Sequence, residues 1–458
     1  MENVTALILA AGEGKRMKSK NAKVTHMLSG KPMIQWVYSA ANAAGVNDCI
    51  VIIGHKAEQV REALREDACY VMQQQQLGTG HAIMQAKELL EKRKGHVLVL
   101  YGDTPLITGE TISKIISHHI QKGNSATVAT TYVDNPQGYG RIVRDNGGNM
   151  SGIVEDKDAS SCQKSINEIN TGVYCFAIDD LLRSFPKLNN NNSQAEYYAT
   201  DLISILISDN KKVGAVKIDN PEEMLGVNNR VQLYEASNIL RNRILKKLME
   251  SGVTIIDPQS TYIDDTVKIG IDTVIYPGTF IEGESVVGED CIIGPNTRII
   301  NTVIANCVEV QNSIVIDSKI GEGTHVGPFA YLRPGAEIGK NVRIGDFVEI
   351  KKSTVGDKTK IAHLTYVGDA QVGSNVNVGC GVVFVNYDGK NKNKTIVGDN
   401  AFIGSNVNLI APLIVNDNGF IAAGSTITDE VPQNALAIAR ERQVIKQNWV
   451  IEKGMNRR

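Results

Sequence analysis

From residue 263 onward the chain repeats in sixes. Ile263, Ile269, Ile275, Ile281, Val287, Ile293 and Ile299 are each six residues apart. A second register runs Val308, Ile314, Ile320, Val326, Leu332, Ile338, Ile344 and Ile350, and a third Val397, Ile403, Leu409, Val415, Ile421 and Ile427. A helix repeats at 3.6 residues and a strand at two, so neither sustains a strict period of six. One short β-edge with its turn per hexapeptide does, when coils stack into a parallel β-helix. The branched aliphatic of each edge then points into a close-packed interior. The nine-residue step from Ile299 to Val308 and the stretch Val385 to Thr395 interrupt the period. Both are expected to be loops, where a regular scaffold carries its sites.

The first 229 residues follow another rule. Apolar runs at Val4 to Ala10, Cys49 to Ile53, Val97 to Tyr101, Ser125 to Thr131 and Gly172 to Phe176 read as strands. Helical patterns such as Thr79 to Lys92 and Thr111 to Gln121 lie between them. Alternating strands and helices imply an α/β domain on a Rossmann-like, mostly parallel sheet, with ligands beyond the carboxyl ends of the strands. Residues 230–250 read as a helical linker, with Leu233, Leu240, Ile244 and Leu248 near one face. Residues 251–458 form the repeat domain with a C-terminal extension from Arg440 that carries Trp449 and either covers a neighbouring copy or frays.

Composition removes several function classes. Forty-eight basic against 50 acidic residues leave a net charge of −2, which speaks against a nucleic-acid surface. No apolar run approaches a membrane span. Seven dispersed cysteines without a C-x-x-C pair suit a reducing, cytoplasmic compartment and give no zinc spacing.

Leu9-Ala10-Ala11-Gly12-Glu13-Gly14-Lys15-Arg16-Met17 follows a strand and is expected to open a helix. Its small residues let backbone amides approach phosphate, while Arg16 and Lys23 add positive charge. Taken alone such a segment is more often a tight turn. Gln76-Leu77-Gly78-Thr79-Gly80-His81-Ala82 is a second small-residue loop before a helix, and Tyr101-Gly102-Asp103-Thr104-Pro105 ends a strand with a carboxylate. Asp103 suits Mg²⁺, which takes oxygen ligands and keeps several waters, or serves as a turn residue.

Together these motifs resemble the sugar-nucleotidyltransferase family. Gly138-Tyr139-Gly140-Arg141-Ile142, Ile153-Val154-Glu155-Asp156-Lys157-Asp158, Glu168-Ile169-Asn170-Thr171-Gly172 and Val227-Asn228-Asn229-Arg230 follow in the order of its uridylyltransferase branch. The resemblance implies that Leu9, Ala10, Ala11, Gly12, Gln73, Gly78, Thr79, Tyr101 and Gly102 surround UTP. It gives Gly140, Glu155 and Asn170 to the amino sugar, Mg²⁺ to Asp103 and Asn228, and charge stabilisation on the reacting phosphates to Arg16 and Lys23.

In the repeat domain, Arg333, Lys351, His363, Tyr366, Asn377, Asn386 and Tyr387 are polar residues outside the inward register. Arg333 and Lys351 offer charge for a phosphate, and His363 is the plausible general base; a histidine in such a place is also commonly a plain surface residue. His363-Leu364-Thr365-Tyr366-Val367-Gly368-Asp369 and Asn386-Tyr387-Asp388-Gly389-Lys390 resemble the acetyltransferase half of a bacterial family joining uridylyl and acetyl transfer in one chain. That resemblance covers essentially the whole sequence and implies a left-handed β-helix assembled as a homotrimer. It makes His363 the base that deprotonates the amine of glucosamine 1-phosphate, with Arg333, Lys351, Tyr366 and Asn377 around the acceptor. Acetyl-CoA falls to Cys380, Asn386, Tyr387, Ser405, Ala423 and Arg440; the family more usually has Ala or Gly at 380. The insertion Val385 to Thr395 is expected to fold over the CoA groove. Two other readings stay open: a single-reaction sugar-nucleotide pyrophosphorylase whose β-helix serves assembly or regulation, and a non-catalytic sugar-nucleotide sensor.

Overall fold

A computed structural model describes residues 3–64 and 68–455, so the last three residues of the C-terminal extension lie outside the described residues. It divides into two compact units, residues 1–240 and 241–458.

The main sheet of the first unit contains β1 (Val4–Leu9), β2 (Asp48–Ile53), β3 (Cys69–Met72), β4 (His96–Tyr101), β5 (Ala126–Tyr132), β6 (Arg141–Arg144), β7 (Met150–Val154), β8 (Glu168–Ala177) and β9 (Val213–Lys217). Its order is β9-β5-β8-β4-β1-β2-β3, with the β6–β7 hairpin attached to β8. β1 pairs in parallel with β2 and β4, whereas β8 runs antiparallel to β4 and β5. β1 is buried throughout, as a central parallel strand must be. Ala6 and Ile8 face one apolar layer; Leu7 and Leu9 face the other. Helices Met33–Ala43 and Gly109–Lys122 supply the first layer and Ala199–Ser208 the second.

Two local expectations fail. No α-helix follows Gly14: one 3₁₀ turn, Lys15–Met17, is bracketed by left-handed Gly14 (φ 64°) and Lys18 (φ 48°), which stop a right-handed helix from propagating. The Thr79 to Lys92 pattern splits into Thr79–Met84 and Lys87–Leu90.

The helix Arg230–Glu250 contributes Ala236 and Leu240 to an apolar cluster of the first unit, and Leu245 to the core of the second. That second core lies inside the left-handed parallel β-helix the repeat implies, whose faces are sheets of 11, 10 and 9 strands. On the first face Ile344, Ile361 and Ile403 point inward, on the second Leu332, Ile350 and Val367, on the third Ile338, Val355 and Val397.

Around residue 300 the register needs correction. Ile314 points outward, 44% exposed, and Val315 takes the inward place at 0%. The inward series runs Ile299, Ile304, Val310, Val315, Ile320, so the expected loop after Ile299 is absent. Shortened sides replace it, each turned by a single left-handed residue: Asn301 (φ 47°), Asn312 (φ 43°) and Asp317 (φ 44°). Asn and Asp tolerate that conformation better than other side chains. The second expected loop is present: between strands Val383–Val385 and Thr395–Val397 the chain leaves the coil, Tyr387 bridges Lys392, and Asp388 accepts from the backbone of Lys390 and Asn391.

Candidate functional site

The carboxyl ends of β1 and β4 open onto a cavity of about 370 Å³. Leu9, Ala10, Ala11, Gly12, Lys23, Gln73, Gly78, Thr79, Tyr101, Asp103 and Asn228 line it, with Val24, Gln76, Ala82 and Glu196. Gly78 adopts φ 111°, and a Cβ there would stand 2.5 Å from the Tyr197 carbonyl oxygen; only glycine lets the two loops pack this closely. Buried Gln73 donates to the Gly78 carbonyl at 3.3 Å and fixes the same loop. Gly102, expected at this site, is not among the residues that line the cavity; its N–H donates to the Leu9 carbonyl at 2.9 Å.

A second cavity, about 330 Å³, shares Thr79, Tyr101, Asp103 and Glu196 with the first and adds Gly140, Glu155 and Asn170. Asn170 Nδ2 donates to the Tyr174 hydroxyl at 2.7 Å, and its Oδ1 accepts from the Gly172 N–H at 3.1 Å. Burial holds the Glu155 carboxyl above its ordinary pKa; the Thr200 hydroxyl opposes this and Asp201, Asp158 and Asp156 reinforce it.

At Asp103, which lines both cavities, Lys23 Nζ pairs with Oδ2 and also donates to Asn228 Oδ1 at 3.2 Å. Arg16 Nη2 donates to the same Asn228 oxygen at 3.0 Å. Thus the four charged or polar residues predicted for phosphate chemistry converge, although Arg16 and Asn228 are 212 positions apart. A carboxylate and an amide oxygen around one cationic position form a hard, oxygen-only donor pair. It fits Mg²⁺, which completes its shell with water and substrate phosphate. Among the described residues no group of three or more His, Cys, Asp or Glu side chains could hold a metal alone.

On the β-helix, His363 Nδ1 lies 2.7 Å from Asp346 Oδ1, and this contact draws the Asp346 carboxyl below its usual pKa. Asp346 escaped the sequence reading, yet it sits in register with His363, one coil earlier. Cys380, Ser405 and Ala423 occupy the same corner on successive coils, each two positions past an inward residue of the first face (Val378, Ile403, Ile421). Arg440 reaches this column one coil further on, its Cδ near Gly424.

Arg333, Lys351 and Tyr366 gather on the second face, where Arg333 Nη1 donates to Glu349 at 2.7 Å. Lys392, from the insertion, comes against Lys351 and pushes its ammonium below the usual pKa. Lys392 is a further residue that sequence reading missed, because only folding of the insertion brings it there. The buried Asn386 joins Tyr366 (3.4 Å) to Asp369 (2.5 Å), while exposed Tyr387 turns its hydroxyl to the Gly389 carbonyl at 2.6 Å. Asn377 does not join this group: it lies on the outer side of the first face between Lys360 and Phe402.

A nucleotide-sized cleft with a cationic centre, followed by a hexapeptide β-helix with a histidine–aspartate corner, defines a two-site transferase. The nucleotidyl transferase family model matches residues 5–221, and a bacterial transferase hexapeptide model of six repeats matches 317–352. The chain is 61% identical to a bifunctional GlmU protein of Acetivibrio thermocellus, over 100% of this chain and 99% of the relative. It is 54% identical to the proteins of that name from Clostridium kluyveri, over 99% of each chain, and from Clostridioides difficile, over 98% of each. The chain belongs to the bifunctional GlmU family.

Proposed function

We propose a division of labour between the two units. The enzyme makes UDP-N-acetylglucosamine: it acetylates glucosamine 1-phosphate from acetyl-CoA, then transfers uridylyl from UTP to N-acetylglucosamine 1-phosphate with release of pyrophosphate. Uridylyl transfer belongs to residues 1–229, acetyl transfer to 251–458, and the helix 230–250 links them. The observation that carries the first assignment is the convergence of Arg16, Lys23, Asp103 and Asn228 beside the first cavity.

The sugar phosphate is already an anionic nucleophile, so the site needs little acid–base chemistry. It must hold two anions together and neutralise the charge that develops. Leu9 to Gly12, Gln73, Gly78 and Thr79 hold uridine and its phosphates, Gly140, Glu155 and Asn170 hold the amino sugar, and Arg16 and Lys23 meet the reacting phosphates. Asp103 and Asn228 would hold Mg²⁺, which supplies Lewis-acid stabilisation of phosphoryl oxygens. Lys23, paired to Asp103 here, is placed to exchange that partner for a phosphate.

In the second unit His363 takes a proton from the amine that attacks the thioester. Asp346 fixes its Nδ1 side, leaving Nε2 free to act. Arg333, Lys351 and Lys392 meet the acceptor phosphate, and Cys380, Asn386, Tyr387, Ser405, Ala423 and Arg440 flank CoA. Asn377, on a different face from this group, fits an acceptor site completed by a second copy in a homotrimer. The working compartment is the cytoplasm; among the described residues no helix is long and apolar enough to cross a membrane.

Incubation with UTP, acetyl-CoA and glucosamine 1-phosphate, followed by product mass, tests the whole reading. UDP-N-acetylglucosamine supports it. Activity only with preformed N-acetylglucosamine 1-phosphate would reduce the β-helix to an assembly role.

A further inference from the structure

Arg141 is buried to 2% exposure and has no assigned part in the reaction. Its backbone stands where three strands meet, in register with Val154 on β7 and Ile169 on β8. One position earlier, the same register sets Gly140 level with Glu155 and Asn170, and the Asn170 N–H donates to the Gly140 carbonyl at 2.8 Å. A Cβ on Gly140 would lie 3.5 Å from Asn170 Cβ and 3.6 Å from Glu155 Oε2. The residues given to the amino sugar are therefore one rung of backbone, and small shifts of the β6 strand would open or close that rung.

The Arg141 side chain spans the loops beside this rung. One terminal nitrogen donates to the Tyr139 carbonyl, and Nη2 donates to Asp156 Oδ1 at 3.0 Å. Tyr139 precedes β6 and Asp156 follows β7, so a single planar fork fastens both sides of the sugar cavity. Its Nε has no hydrogen-bond partner among the described residues. A buried, incompletely bonded ion pair contributes little to stability against an apolar replacement, whereas its geometry fixes positions well, and lysine cannot donate in two fixed directions.

We propose that Arg141 is a positioning residue of the uridylyl site: its fork holds the Tyr139–Gly140 backbone against the Glu155–Asp156 turn and so sets the width of the sugar subsite. This rests on the assignment of Gly140, Glu155 and Asn170 to the amino sugar.

The test is steady-state kinetics of the full chain carrying Arg141→Lys or Asp156→Asn. KM for N-acetylglucosamine 1-phosphate should rise about tenfold in the first and about threefold in the second, since displacements near 1 Å at a binding subsite carry effects of this order or more. KM for UTP, kcat and acetyl transfer should stay within about twofold. An unchanged sugar-phosphate KM, or a matched loss in kcat and both KM values with a lowered Tm, overturns the proposal. If Arg141→Lys does not fold, Asp156→Asn decides from the more exposed end of the tie. Asn170→Ala separates the two levels of inference. If it too leaves the sugar-phosphate KM unchanged, the sugar-site assignment falls; if it raises KM while Arg141→Lys and Asp156→Asn do not, the positioning role alone falls.

Discussion

Mild acid should destabilise the first unit by way of one histidine. His119 is fully buried on the helix Gly109–Lys122, its Nδ1 2.9 Å from Thr127 Oγ1 and its Nε2 3.0 Å from His96 Nδ1. Burial, then His96 and His118, push its pKa from 6.5 down to about 4. Above pH 6.5 the ring is neutral in both folded and unfolded chains. Below it, the unfolded chain takes a proton that the folded chain refuses, so stability falls by up to about 1.4 kcal/mol per pH unit. The full displacement is worth roughly 3 kcal/mol, of which about 2 kcal/mol is lost between pH 6.5 and 5. His96, depressed by burial as well, adds in the same direction. The assay is urea unfolding followed by Trp36 fluorescence in a Trp449→Phe background, since these are the two tryptophans and the Trp36 indole is tied to the Leu28 carbonyl within the first unit. His119→Asn lowers the baseline through lost packing but should flatten the slope between pH 6.5 and 5. Equal slopes in parent and variant would refute the reasoning.

Other outcomes follow from the two sites. His363→Ala should cut acetyl transfer by about 10²–10⁴-fold, the usual worth of a general base, and leave uridylyl transfer unchanged; Asp346→Asn should cut the same reaction less, because both partners are partly exposed. Parallel assays of the two half-reactions check both. Asp103→Ala should abolish pyrophosphate release without lowering Tm, read by a coupled phosphate assay at saturating Mg²⁺. Lys392→Ala should raise KM for glucosamine 1-phosphate about tenfold at low salt and less at high salt, as expected for an exposed phosphate contact. Replacing the fully buried Phe384 by Ala should cost about 3–5 kcal/mol of β-helix stability, measured by denaturant unfolding.

The β-helix was readable because its period is set by covalent spacing: each branched residue every sixth position faces inward whatever its distant neighbours do. Where Asn301, Asn312 and Asp317 each turn a corner alone, the period drops to five, and reading in sixes mistook Ile314 for a core residue. The candidate nucleotide site was legible as separate short motifs, but their meeting was not, since the hydrogen bond between Arg16 and Asn228 spans 212 positions. Asp346 could have been found by stepping back 17 residues, one coil, from His363. Lys392 could not, because the insertion obeys no period. The helix expected after Gly14 failed because propensity there yields to two left-handed residues that only the fold dictates.

The corner column from His363 through Cys380, Ser405 and Ala423 has a consequence for how such a protein can change. Neighbouring rungs of parallel strands are about 4.8 Å apart, so the column is graduated like a ruler and an elongated cofactor lying along it meets one mark per coil. Single-residue deletions can be absorbed at corners, as the five-residue sides show, without moving any mark. Lengthening the reach of the groove requires a whole extra coil, so its dimensions can evolve only in discrete steps.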